Sequence, residues 1–273
     1  MGFAQYGHPD GFPIVNCHGG VAGRVDVMTA AAPAREAGVR LISPDRPGLG
    51  LSDPMPDRTL LDWPRDVEEL ADRLGLDRFA CMGRSMGDQY AAALGFALAD
   101  RVTRVAIVAG AVPLTEPGAF AKLPTMDRTF TRLSQRAPLV ARAVFRGMGA
   151  IAPRFPRLWT GLTAAGLGRS DARVLRSEPP RDYALMTGDA LCTAAGMVDD
   201  YRVWVLPSGF APEDITVPTD VWWGEDDELV PRDWPVDLSR RIPRATLRTR
   251  PGVGHFMAHE HYPEIFGALL TST

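Results

Sequence analysis

The sequence predicts an α/β fold: a mostly parallel, doubly wound sheet carrying a helical insertion. Three patterns support that reading. Short apolar runs alternate with helical patterns from about residue 14 to residue 108, joined by brief connections. The alternation stops over 113–218, where Arg, Leu, Ala, Phe and Met recur at helical spacing, broken by Pro138, Pro153, Pro156 and Pro179-Pro180. It resumes at Thr219. The expected organisation is a core of residues 1–112 and 219–273, interrupted by a mostly helical cap over residues 113–218 that lies as a lid over the sheet edge. A chain of 273 residues is long enough for one such domain.

The elements follow in order. Tyr6 to Pro13 is turn chemistry, centred on Gly7-His8-Pro9-Asp10-Gly11. Ile14-Val15-Asn16-Cys17 is a strand ending at His18-Gly19-Gly20, where paired glycines let the backbone lie close to a ligand. Val27 to Glu36 is Ala-rich and helical in pattern, and Gly38 suits its end. Val39 to Ser43 is the next strand and runs into a Pro/Gly loop, Pro44 to Asp53. Asp62 is placed to cap a helix whose Val67, Leu70, Ala71 and Leu74 form one apolar face, with Gly75 closing it. Arg78 to Met82 is a buried strand, Met86 to Leu98 a buried helix and Val102 to Val108 a strand. After the insertion come a strand at Thr219–Gly224, a helix at Trp234–Arg241, a short strand at Ala245–Thr249 and a closing helix at Tyr262–Leu270.

The chain centres on Gly83-Arg84-Ser85-Met86-Gly87, a sharp turn between strand and helix. Such a turn forces its serine into a strained backbone conformation, and small residues two before and two after relieve the crowding. The hydroxyl then projects beyond the sheet at a helix N-terminus, whose free N–H groups favour developing negative charge.

Composition narrows the functional classes. Hydrophobic residues are 45% and charged residues 23%, ordinary for a globular protein, and the net charge of −3 leaves no broad nucleic-acid footprint. Arginine is frequent between Arg128 and Arg181 but interspersed with apolar residues, which reads as a solvated helical surface. Cys17, Cys81 and Cys192 are too few and too scattered for a disulfide framework or a zinc site. No signal peptide and no apolar run of membrane-spanning length is visible. The expectation is a cytoplasmic enzyme acting on a small molecule, monomer or homodimer, with no nucleic-acid or membrane partner.

Serine is a poor nucleophile unless a base takes its proton, and the base works best when a carboxylate orients it. The chain offers Ser85, an acid at Asp227 or Asp226, and His255, each just beyond a predicted strand. In a parallel sheet those ends share one edge, where ligands bind. Asp227 is the preferred acid. His259-Glu260-His261 is too sparse to hold a metal, and no metal is expected.

These residues resemble the α/β-hydrolase superfamily, in its branch of serine hydrolases with a helical cap. The resemblance rests on His18-Gly19-Gly20, Asp45-Arg46-Pro47-Gly48-Leu49-Gly50-Leu51-Ser52, Gly83-Arg84-Ser85-Met86-Gly87, Gly224-Glu225-Asp226-Asp227 and Gly254-His255, and runs over nearly the whole chain. It implies Ser85 as nucleophile, His255 as base, Asp227 as orienting acid, and an oxyanion hole at the backbone N–H groups of Gly20 and Met86. No cofactor is implied. The chain departs from the family pattern in three places. Asp88 stands where a small residue is usual, and Arg84 sits inside the elbow, either pairing with Asp88 or pointing into the site. Met1 to Tyr6 is also short for the family's opening strands, so the sheet is expected to lack its first strand, or the natural start lies upstream.

The leading functional reading is a carboxylic-ester hydrolase for small to medium apolar substrates, working through an acyl-enzyme. Phe120, Met126, Phe130, Leu133, Phe145, Met148, Leu158 and Trp159 are candidates to line its pocket. The same triad would serve a lactone, an amide or a carbon–carbon bond next to a carbonyl. A non-catalytic ligand-binding protein on this fold is the remaining alternative. Dehalogenase and most epoxide-hydrolase chemistry needs a carboxylate at the elbow, where this chain has Ser85.

Overall fold

The computed structural model describes residues 1–271. Among these, seven strands form one sheet: β1 (Phe3–Gly7), β2 (Phe12–Cys17), β3 (Val39–Pro44), β4 (Phe79–Arg84), β5 (Val102–Val108), β6 (Thr219–Gly224) and β7 (Ala245–Arg250). Their order is β1-β3-β2-β4-β5-β6-β7, and only β1 runs antiparallel to its neighbour. Strands buried on both faces need no polar alternation, which is why β4 and β6 read as nearly unbroken apolar runs.

The two faces have separate cores. Ile14, Ala80, Met82, Ala106 and Trp222 point to one side. There they pack on α1 (Ala31–Glu36) and α12 (Met257–Leu270) through Ala34, Met257, Tyr262 and Phe266. Val15, Cys81, Val105, Ile107 and Val221 point to the other side. They pack on α2 (Asp62–Arg73), α3 (Asp88–Ala97) and α11 (Asp233–Arg241) through Val67, Tyr90, Leu94 and Leu238. Adjacent residues of one strand thus serve opposite cores, the period-2 geometry of a pleated strand.

Between β5 and β6 the described residues contain no strand. The insert is built from α4 (Ala119–Lys122), α5 (Thr125–Arg136), α6 (Pro138–Arg154), α7 (Pro156–Ala165), α8 (Arg169–Ser177), α9 (Pro180–Ala190) and α10 (Ala195–Val203). Three of the prolines that break the sequence pattern open helices: Pro138, Pro156 and Pro180 are first residues, where a missing N–H costs nothing.

Four details differ from the sequence reading. Residues 3–7 form a strand that was hidden because it is short, only half-buried and followed by a real turn. Asp62 is the first helical residue rather than the cap; its carboxylate accepts bonds from Thr59 N–H (2.7 Å) and Oγ1 (2.9 Å) and closes the turn before the helix. A single 3-10 turn, Ser85–Gly87, stands between β4 and α3. The last helix begins at Met257 and is kinked at His261, two residues before Pro263. Among the described residues no helix is long and apolar enough to cross a membrane.

Candidate active site

Ser85 follows β4 with φ of +52°, in the left-handed region that a residue with a Cβ avoids. Two glycines make the turn feasible. A Cβ on Gly83 would overlap the Gly87 carbonyl, and one on Gly87 would overlap the carbonyls of Cys17 and His18. The elbow is therefore pressed directly against the end of β2, and the sequence-predicted strain is present at the expected residue.

That contact brings the glycine loop after β2 to the elbow. A Cβ on Gly20 would lie 3.5 Å from the Met86 side chain. The Gly20 N–H has no hydrogen-bond partner among the described residues. Met86 is the second residue of its 3-10 turn, where N–H groups find no partner inside the helix. Gly20 and Met86, the residues whose N–H groups the resemblance assigns as donors, are thus neighbours.

The loop is held from behind by Arg46, which is fully buried. Its guanidinium donates to the carbonyls of His18 and of Gly19 (3.0 Å), and its Nε donates to Asp200 Oδ2 (2.9 Å). Asp200, on α10 of the insert, also accepts from Arg58 (2.5 Å) and the Tyr90 hydroxyl (3.1 Å). The Arg46 N–H donates to His18 Nε2 (3.2 Å), so the ring proton sits on Nδ1, facing the Gly19 carbonyl at 3.0 Å. Burial, reinforced by the Arg46 charge, holds His18 well below its ordinary pKa, and the ring is neutral. Asp45 shapes the next loop by accepting from the backbone N–H groups of Arg24 (2.6 Å) and Leu51 (2.9 Å).

Asp227 follows β6 and His255 follows β7. Asp227 Oδ1 accepts from the N–H groups of Leu229 (2.8 Å) and Val230 (2.9 Å), which leaves Oδ2 to meet His255 Nδ1 at 3.0 Å. Asp226 turns away and accepts from Ser170 Oγ in the insert (2.6 Å). Of the two aspartates, Asp227 is the partner of His255. Burial alone would lower the His255 pKa, but the Asp227 carboxylate outweighs it and the net shift is upward. The Asp171 carboxylate from α8 adds to the upward pull and the Arg84 charge opposes it. No hydrogen bond joins Ser85 to His255 among the described residues; such bonds often tighten only with substrate bound.

The two unusual elbow residues do not pair with each other. Arg84 ends a strand, so the one-turn spacing that would join it to Asp88 on a helix does not apply. Arg84 forms an ion pair with Asp26 and approaches His259 Nε2 (3.4 Å). Asp88 Oδ2 accepts from the Ala111 N–H (2.6 Å), while Oδ1 has no partner. Beside it is a cavity of about 50 Å³ lined largely by apolar side chains such as Ala92, Leu114 and Trp204. Burial pushes the Asp88 carboxyl up to about 7. His259 and His261 diverge, the second pairing with Glu264 (2.8 Å). Among the described residues no cluster of His, Cys, Asp and Glu is suited to a metal. Of the candidate pocket residues, Phe145 is buried against Phe130 and Tyr201, whereas Met126 and Leu158 face solvent.

A family model described as alpha/beta hydrolase fold matches residues 13–262. The chain belongs to the alpha/beta hydrolase fold family. It is a hydrolase. It is 28% identical over 254 residues to the 2-hydroxy-6-oxononadienedioate/2-hydroxy-6-oxononatrienedioate hydrolase of Cupriavidus pinatubonensis, covering 91% of this chain and 82% of that one. It is 27% identical over 256 residues to the 2-hydroxy-6-oxo-6-phenylhexa-2,4-dienoate hydrolase of Burkholderia cepacia, covering 92% and 84%. A thermophilic esterase from Thermogutta terrifontis shares the hydrolase fold with a TM-score of 0.70 at 21% identity, over 98% of this chain and 90% of that one.

Sequence reasoning missed Arg46, Arg58 and Asp200 as a buried network. Asp45-Arg46 lay in plain view inside a matched motif, but Asp200 is 154 positions from Arg46 and no spacing links them.

Two outcomes follow from this packing. Gly87→Ala should destabilise the hydrolase by about 1–3 kcal/mol, because backbone cannot move aside. Gly267→Ala, on a helix with open space around it, should be neutral or stabilising by a few tenths to about 1 kcal/mol; thermal unfolding of the two variants checks the contrast. Asp88 retains its proton in the fold at pH values where an unfolded carboxyl has lost it. Its contribution to stability is fully present below 3.8, erodes as pH rises and is lost through about 7. Denaturant unfolding across that window should show a smaller fall in stability for Asp88→Asn than for wild type.

Proposed function

We propose that this hydrolase cleaves a carbon–carbon bond beside a ketone in a small carboxylate substrate, with Ser85 as nucleophile, His255 as base and Asp227 orienting His255. The observation that carries the reading is chemical. Compounds named 2-hydroxy-6-oxononadienedioate and 2-hydroxy-6-oxo-6-phenylhexa-2,4-dienoate contain hydroxyl, ketone and carboxylate groups but no ester, amide or lactone. The bond a hydrolase breaks in them is therefore carbon–carbon. The carboxylic-ester expectation gives way to its alternative on this ground. The insert over residues 113–218 acts as the cap in this proposal.

The steps use groups already placed. His255 takes the Ser85 proton as Oγ adds to the ketone carbon, and the oxyanion is received by the N–H groups of Gly20 and Met86. Collapse of the adduct breaks the carbon–carbon bond. This requires the bound 2-hydroxydiene to have first shifted its hydroxyl proton to the carbon beside the ketone, giving a 2-oxo-3-ene; the departing electron pair is then delocalised through that enone as a dienolate, which takes the proton from protonated His255. Water, deprotonated by His255, then releases the acyl group from Ser85 as a carboxylic acid. Asp227 keeps the imidazole in the tautomer with its proton on Nδ1 and stabilises the imidazolium in both halves.

A 2-hydroxy-6-oxo-dienoate should lose its conjugated absorbance in the presence of wild type and yield two acids. Ser85→Ala should slow this by roughly 10⁴-fold or more. Turnover of p-nitrophenyl esters with no cleavage of the keto acid would return the assignment to an esterase. Because His255 must be neutral to act and its pKa is raised above the ordinary 6.5, kcat/KM should rise with pH through a value above 6.5. Asp227→Asn, which removes the main upward pull, should move that limb to lower pH and depress kcat; a pH–rate profile of the two proteins checks both.

A further inference from the structure

Charge is distributed very unevenly along the chain. Residues 128–170 hold eight arginines and no lysine, aspartate or glutamate, while the other 230 residues carry a net charge of −11. Arginines elsewhere are commonly paired: Arg24, Arg46, Arg58, Arg84 and Arg241 all meet carboxylates. Among the described residues none of the eight does. Seven of them, all but Arg128, are exposed.

The same segment exposes large apolar side chains. Leu139 is 81% exposed, Leu162 63%, Leu158 58% and Phe155 55%. Val140, Val144, Ile151 and Phe155 fall on one stripe of α6 and its end, and Leu158 and Leu162 are one turn apart on α7. Arg154 adjoins that stripe, and Arg142 and Arg146 line the opposite flank of α6 beside Leu139, with the helix's solvent face between the two. A groove of about 700 Å³ opens at the α6–α7 junction, with Phe155, Leu158, Pro179 and Pro180 as apolar walls and Arg157 and Arg181 beside them.

We propose that this face of the insert docks on an anionic lipid bilayer, with the arginines at the headgroups and the Leu/Phe stripe in the interfacial layer. Unpaired cations flanking exposed aliphatic and aromatic side chains match both demands of such a surface. A closed dimer through this face would set eight unpaired arginines against eight more, which electrostatics opposes. A nucleic-acid backbone would use the charge but gains nothing from the apolar stripe. The expectation of no membrane partner rested on the absence of a spanning apolar run, a criterion that attachment to one leaflet does not need to meet. The proposal is independent of which bond the active site breaks.

The test is sedimentation of the intact protein with vesicles of phosphatidylcholine alone and of phosphatidylcholine mixed with phosphatidylglycerol. Binding is expected only to the mixed vesicles, and weaker at high salt. Arg142→Glu/Arg146→Glu/Arg154→Glu should reduce partitioning by at least about a hundredfold, since each arginine near the surface is worth roughly fivefold. Leu158→Gln/Leu162→Gln should also weaken it, with unfolding temperature unchanged because these side chains are exposed. Four results would overturn the proposal: no binding to mixed vesicles at low salt, equal binding to neutral vesicles, arginine-dependent binding to duplex DNA but not to vesicles, or a self-associated state that the same variants dissolve.

Discussion

The buried Arg46–Asp200 pair is the interaction on which the site depends. A guanidinium and a carboxylate taken out of water cost several kcal/mol each, repaid only when nearly every donor and acceptor finds a partner. Arg46 meets that condition with two carbonyls of the His18–Gly19 segment and with Asp200, and its charge lies over the Tyr90 ring at 4.5 Å. Asp200 in turn takes Arg58 and Tyr90. One network therefore joins the glycine loop, the elbow helix and the insert. The carbonyls of His18 and Gly19 are pulled toward Arg46, which fixes the peptide planes of the loop that presents Gly20. The insert is thus anchored by the same charges that shape the loop.

Strain at Ser85 is sustained by what surrounds it. A non-glycine residue at positive φ costs of order 1–3 kcal/mol and persists only where neighbours over-determine it. Here β4 enters from one side, α3 leaves on the other, and Gly87 lies against the end of β2 with no room for a methyl group. Asp227 is fixed in the same manner by two backbone N–H groups, so only one carboxylate oxygen is free to orient His255. The reactive groups of the proposed mechanism thus sit on rigid supports, and none depends on a long flexible side chain.

The sheet and the site were legible in the sequence to different degrees, for physical reasons. Strands β2 to β6 announce themselves because both faces are largely buried and each carries a short apolar run at its centre. Strand β1 does not, since it lies at the edge and is half-buried. Ser85, Asp227 and His255 were readable because each follows a strand in a parallel sheet, and topology gathers such positions. Between Asp226 and Asp227 the sequence favours the second without excluding the first; in the turn it is Asp227 that meets His255, while Asp226 reaches Ser170. Of the two arrangements open to Arg84, pairing with Asp88 is not the one found, because helix spacing does not carry across a strand–helix boundary. The partners of Arg84 and Arg46 come from distant loops, and long-range ion pairs have no period to detect.

The insert shows what local charge balance means for a helical layer. On its inner side Asp200 neutralises two guanidiniums and Asp171 accepts the Phe256 N–H beside His255, so the acids of this layer face the core and its loops. On its outer side, α6 and α7 carry arginines with no acid within reach and leucines with no cover. Packing against the core does not require that arrangement: the inward stripe of α6, Ala141, Phe145 and Ala152, is uncharged and complete without it. A helix that needed only to be solvated would mix both signs of charge and keep its large apolar residues inside. Packing against the core therefore does not account for the composition of the outer face, and that is the ground on which its proposed docking role rests.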